Sequence, residues 1–207
     1  MSRNASKPST RRPVSSGRFD VVVIGVSAGG VDLLLENLPA LPEGFPVPVV
    51  ICLHSPAGTT SELAKMLDDR AAVEVREAVD KESLVPGRVY LAPGGYHLLV
   101  ERDAVLSLSV DEPVRFARPS VDVLFDSAAH VFRERVLAVV LTGANDDGAR
   151  GARRIKDAGG TVIVQDPATA AAPNMPRAAM AAVAPDYCVA PPQLPGLLVR
   201  LCQQGSA

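Results

Sequence analysis

The sequence predicts an α/β protein built on a doubly wound, mainly parallel sheet with helices on both faces and an inserted antiparallel β-hairpin. Two observations carry the prediction. Apolar runs such as FDVVVIG, VPVVICL and RVLAVVL end in small-residue turns and lead into apolar positions at helical spacing, the order strand, turn, helix. Hydrophobic residues make up 47% of the 207, but aromatics only 4% and Trp is absent. The core must therefore be built from Val, Leu, Ile and Ala, the usual lining of a sheet buried on both faces.

The first β-α unit is FDVVVIGVSAGGVDLLLENL. VPVVICLH forms a second strand, and TSELAKMLDD, with Thr and Ser ahead of Glu and Leu, reads as the helix after it. In the middle, VPGRVYLAPGGYHLLVERDAVLSLSV has short runs separated by PGR, PGG and ERD turns, a spacing that predicts antiparallel hairpins rather than crossover helices. Parallel logic resumes with the helix PSVDVLFDSAAHVFRE, the strand RVLAVVLTG, the helix DDGARGARRIKDAGG closed by glycines, and the strand TVIVQD. A short helix around MPRAAMAA, an edge strand near DYCVA and an amphipathic ending at PPQLPGLLVRLCQ complete the chain. No internal repeat is evident.

Length and charge narrow the function. One core suffices for a chain of this size, so residues 19–207 are expected to form one domain behind a disordered basic tail over 1–18, where Arg3, Lys7, Arg11, Arg12 and Arg18 alternate with Ser, Pro and Thr. The formal net charge of −2 gives no field to attract nucleic acid. No apolar run reaches the roughly 20 residues of a membrane-spanning helix, so no membrane insertion is expected. Cys52, Cys188 and Cys202 form an odd set without a close pair, which suits reduced thiols in a cytoplasmic protein and suggests no metal site. Cys52 lies within VVICL and reads as a small core residue.

Open parallel sheets bind ligands beyond the carboxyl ends of their strands. Three loops are expected there, and each contributes a residue type that a nucleophilic hydrolase needs. GVSAGG contains Gly25, Val26, Ser27, Ala28 and Gly29, a GxSxG turn that presents a serine hydroxyl at a helix N-terminus. A phosphate-cradling turn is the competing reading, but Ser27 replaces the second glycine of GxGxxG and no GKS or GKT follows. Of the three histidines, His54 alone ends a buried strand on the side where Ser27 emerges; His97 falls in the hairpin region and His130 in a helix. The third loop holds Asp146 and Asp147, one to hold the imidazole and the other to cap a helix, and spacing leaves open which does which. The order Ser, His, Asp differs from that of α/β-hydrolases and of chymotrypsin-like and subtilisin-like proteases.

Together with VYLAPGGYH, RPSVDVLF, VVLTGANDDGARG and MPRAAM, these loops resemble the catalytic domain of the bacterial chemotaxis protein-glutamate methylesterases, from about Asp20 to the C-terminal region. The resemblance implies Ser27 as nucleophile, His54 as base and acid, and Asp147, directly before Gly-Ala, as the residue orienting His54. It implies hydrolysis of glutamate γ-methyl esters on a methylated chemoreceptor or similar signalling protein, with glutamine deamidation as a second reaction through the same acyl intermediate. No cofactor is expected. Candidate oxyanion donors are the N–H of Ala28 and one from the Gly143–Ala144 turn.

Two features depart from that family. The segment before Asp20 is too short for the receiver domain usual in chemotaxis members, so control by a separate regulatory protein is expected. TGAND places Ala144 where many members have methionine. The alternatives are a non-catalytic regulatory or binding module on the same fold and a nucleotide-binding α/β protein, the latter without an acidic ribose clamp in the sequence. Arg118, Ser120 and Asp122 stand out in RPSVD, where substrate contact and helix capping are not separable by sequence.

Overall fold

The computed structural model describes residues 17–203. The basic opening segment expected over 1–18 lies almost entirely outside the described residues; of its last two, Gly17 is already packed, its carbonyl accepting from Arg135 Nη2 at 2.9 Å.

The chain order is β1 (Val21–Val26), α1 (Gly30–Asn37), β2 (Val49–Leu53), α2 (Thr60–Asp68), β3 (Glu74–Glu77), β4 (Arg88–Leu91), β5 (His97–Glu101), β6 (Val105–Ser109), α3 (Val121–Phe132), β7 (Val136–Val140), α4 (Ala149–Asp157), β8 (Thr161–Gln165), α5 (Asn174–Ala182), β9 (Tyr187–Val189) and α6 (Leu194–Gln203). Seven strands form one sheet in the order β3-β4-β2-β1-β7-β8-β9, every pairing parallel. β5 and β6 form a separate antiparallel pair.

Alternation along the strands separates two cores. Val22, Ile24 and Val26 of β1 join leucines of α1, α2 and α6 on one face, whereas Val21 and Val23 join α3, α4, α5 and the hairpin residues Leu98, Val100 and Leu106 on the other. β1, β2 and β7 are buried along their whole length, so they carry no polar face.

The middle of the chain departs from the expected run of hairpins. RVYL is β4, a parallel strand between β2 and β3, and only HLLVE and VLSLS form a hairpin. A four-residue apolar run between turns has the same pattern as a short buried parallel strand or a hairpin arm, and only its partner distinguishes them. β3, with the sequence EVRE, has too little apolar character to be read as a strand; it lies at the sheet edge, where charged side chains face water.

β1 leads outward to β2 on one side and lies against β7 on the other. Strand order therefore reverses at β1 and β7, and a crevice opens at their carboxyl ends. Register places Gly25 beside Cys52 and Val140, so the chain leaves β1, β2 and β7 at one level. No helix among the described residues is long and apolar enough to cross a membrane.

Candidate active site

Ser27 directly follows β1. Its N–H donates to the Thr142 carbonyl at 2.9 Å, and Thr142 Oγ1 donates to the Ala28 carbonyl at 2.8 Å, joining the loop after β1 to the loop after β7. Gly25 lets β1 pass close under α3: a Cβ there would lie 2.2 Å from Cγ1 of Val121, at the start of that helix. The turn differs from the strained nucleophile elbow of α/β-hydrolases, because Ser27 is absent from the non-glycine residues with left-handed backbone. Gly29, at φ 77°, takes that conformation instead.

His54 directly follows β2, and its N–H donates to the Val26 carbonyl at 3.2 Å. Its Nδ1 lies 3.1 Å from Ser27 Oγ and its Nε2 lies 2.8 Å from Asp147 Oδ2. An ionised carboxylate only accepts, so the proton sits on Nε2 and the Nδ1 lone pair accepts from the serine hydroxyl. This reverses the roles of the two ring nitrogens in chymotrypsin-like proteases. The ring is 14% exposed, open enough for a substrate to reach its serine side.

The Asp147 carboxylate is fully buried and hydrogen-bonded on both oxygens. Oδ1 accepts from Ser120 Oγ at 2.9 Å and the Asp122 N–H at 3.0 Å; Oδ2 accepts from the Val121 N–H at 2.7 Å as well as from His54. Burial pushes this carboxyl up, but the His54 bond and the Asp122 and Val121 N–H groups outweigh it and hold it below its ordinary value.

The two aspartates divide their roles differently from the expectation that one of them caps the following helix. Neither caps the helix that follows them, since the N-cap of α4 is Gly148. Asp147 faces back and holds the first N–H groups of α3 while also bonding His54, so one residue fills both roles. Asp122, in the first turn of α3, holds the start of α4 in return, its Oδ1 accepting from the Gly148 N–H at 3.0 Å and the Gly151 N–H at 2.7 Å. Burial raises the Asp122 carboxyl despite these donors, and the neighbouring Asp147 charge adds to the rise. Asp146 is exposed and pairs with Arg115.

Of the candidate oxyanion donors, the Gly143 N–H is already used: it donates to the Ala172 carbonyl at 2.9 Å. Gly143 serves by being small, because a Cβ there would lie 1.8 Å from Met175 Sδ and 3.0 Å from Ser27 Cβ. Among the described residues, the N–H groups of Ala28 and Ala144 donate to no protein acceptor. The start of α5 holds this turn, with the Met175 N–H on the Gly143 carbonyl at 3.0 Å and Asn174 Nδ2 on the Ala144 carbonyl at 2.9 Å. MPRAAM thus supplies a methionine near Ser27 from a different element than the loop where the family resemblance would put one.

Cys52 is fully buried, and burial, with the charge of Asp147 adding to it, pushes its thiol well above the ordinary range; it is a core residue. Two open clefts meet at His54. One, of about 660 Å³, runs past Ser27, Glu62, Leu63 and Met66; the other, of about 460 Å³, runs past Pro56, Arg115 and Asn145. Ser120, Asp122 and Thr142 are the supporting residues that sequence patterning did not assign. Their only sequence signal is a polar residue beside an apolar run, and a helix cap has the same one.

The family model described as CheB methylesterase matches residues 22–198. A relative from Leptospira interrogans is 43% identical over 185 residues, covering 89% of this chain and 96% of its own length. A Moorella thermoacetica protein named protein-glutamate methylesterase/protein-glutamine glutaminase is 47% identical over 176 residues, 83% of this chain but 42% of that protein. Among solved structures, the Thermotoga maritima CheB methylesterase catalytic domain superposes with a TM-score of 0.86 at 38% identity, covering 88% of this chain and 98% of that one.

Proposed function

The chain belongs to the CheB methylesterase family, and on that premise we propose that it hydrolyses glutamate γ-methyl esters on a methylated chemoreceptor or similar signalling protein in the cytoplasm, with Ser27, His54 and Asp147 as its triad. The observation that carries this reading is the continuous hydrogen-bonded path from Ser27 Oγ through both ring nitrogens of His54 to Asp147, at the point where strand order reverses.

The steps follow from the tautomer. Ser27 Oγ attacks the ester carbonyl carbon as its proton passes to Nδ1 of His54, and the imidazolium is stabilised by Asp147. The N–H groups of Ala28 and Ala144 are the donors available to the carbonyl oxygen as it gains charge. The intermediate collapses, the C–O bond to the methoxy group breaks, and methanol leaves with the proton from Nδ1. Water then adds to the glutamyl-serine ester, giving its proton to the same nitrogen, and release of the carboxylate restores the serine. With a glutamine side chain the first leaving group is ammonia and the second half is unchanged, which supports deamidation at the same site.

The test is methanol release from methylated chemoreceptor cytoplasmic domains by the native protein and by Ser27→Ala. Release by the native protein alone is expected; equal release by both would remove Ser27 from the mechanism.

A further inference from the structure

Beyond β6 the chain makes a tight turn at the mouth of the cleft that holds His54. Val114 and Ala117 exchange both backbone hydrogen bonds, at 3.1 and 2.9 Å, around Arg115 and Phe116. Those two residues have φ of 50° and 63°. A two-residue turn left-handed at both positions is the geometry that Asn-Gly serves best, and each Cβ placed there is sterically unfavourable.

Phe116 gains nothing from the fold in return. It is 104% exposed, as a phenyl group on an open chain would be. The turn itself is anchored: Arg115 Nη1 bonds Asp146, and Arg115 Nε lies 3.8 Å from Asp122 Oδ2. At its stem, Arg118 Nη1 donates to the carbonyls of Val110 and Asp111 at 2.8 and 3.1 Å, and the Gly95 N–H donates to the Arg118 carbonyl at 3.1 Å. The residues brought alongside are themselves exposed and apolar, Val110 at 69% and Tyr96 at 43%. An anchored, strained turn that holds an aromatic ring in water beside a reactive site has the features of a binding contact.

We propose that Phe116 is a specificity-determining residue. It packs against an apolar side chain of the substrate protein beside the esterified glutamate, so that recognition of the protein, as distinct from the ester, lies on the Val114–Ala117 turn. This rests on the methylesterase reading. Phe116 lines the cleft that meets the Ser27 cleft at His54, so a protein surface laid over both openings meets Phe116.

The experiment compares Phe116→Ala, Phe116→Gly and Phe116→Leu with the native protein on a methylated receptor cytoplasmic domain and on N-acetylglutamate γ-methyl ester. For Ala and Gly, KM for the receptor domain is expected to rise about tenfold, as for loss of an aromatic anchor, with kcat within about twofold. The rise should be at least about five times any change on the small ester, and Leu should recover most of it. Phe116→Gly should melt no lower than the native protein, separating a binding loss from a folding loss. An unchanged receptor KM in Ala and Gly, or an equal loss on the small ester, would overturn the proposal. If the native protein hydrolyses neither substrate, the methylesterase reading fails instead. Calorimetric binding of the receptor domain by Ser27→Ala with and without Phe116→Ala then decides the contact alone, equal affinities overturning it.

Discussion

At the residue scale, the roles of adjacent aspartates are decided by what surrounds each carboxylate. Asp147 has four donors in a buried pocket, whereas Asp146 sits in solvent on Arg115. An amide at 147 would turn a donor toward groups that already donate and remove the acceptor that keeps the His54 proton on Nε2. Asp147→Asn is therefore expected to lower kcat about 10³- to 10⁴-fold, and Asp146→Asn no more than about threefold, in a steady-state methanol assay. The reverse order would exchange their roles. The same carboxyl links stability to pH. Its folded pKa lies below the unfolded value, so its stabilisation is present above the ordinary carboxylate range and is lost as pH falls through the folded pKa. Urea unfolding should show the native protein more stable than Asp147→Asn at pH 7, with the gap closing as pH is lowered below the ordinary carboxylate range.

At the scale of elements, α3 and α4 are clamped at their starts by each other's carboxylates, Asp147 on α3 and Asp122 on α4. The start of each helix carries the residue that holds the other, so the Asp147 carboxylate beside His54 is fixed from two directions. Asp122→Ala leaves two buried N–H groups unpaired, which should cost about 2 kcal/mol in denaturant titrations and lower kcat more than it raises KM. The turn after β7 is bounded as closely. Gly143→Ala should destabilise by about 1 to 3 kcal/mol by forcing Met175 away, and the same change should cost less when made together with Met175→Ala than in the native background. An equal cost in both backgrounds would mean that Met175 is not what confines Gly143.

Across the whole molecule, the two ends of the sheet do different work. At the carboxyl ends of β1, β2 and β7 lie Ser27, His54, Asp147 and both clefts. At the amino ends, Asp20, ahead of β1, accepts from Arg135, ahead of β7, through both oxygens at 2.6 and 2.7 Å. Asp20 is almost fully buried, so removing the guanidinium takes a bidentate cation from a buried carboxylate. Arg135→Ala is expected to cost about 3 kcal/mol and to lower Tm by about 8 °C in a thermal melt. Its kcat, measured well below the melt, should stay within about twofold of the native value. A comparable fall in kcat would show that the two ends are coupled.

The sequence by itself determined what local chemistry and periodicity encode. Apolar runs such as VVVIGV and VLAVV, short and rich in β-branched residues, read as strands buried on both faces, and the small residues after β1 read as a turn. That was enough for the doubly wound sheet and for the three loops at one edge, with Ser27 and His54 as the candidates on two of them. Tertiary structure decided what depends on partners distant in sequence. RVYL became a parallel strand because β2 and β3 flank it. The Gly143 N–H was lost to Ala172. Asp147 turned to α3 instead of its own helix because the Val121 and Asp122 N–H groups lie within reach across the crevice. The rule that divides the two is physical: periodicity reports which face of an element is buried, while a hydrogen bond between residues 26 apart has no period along the chain.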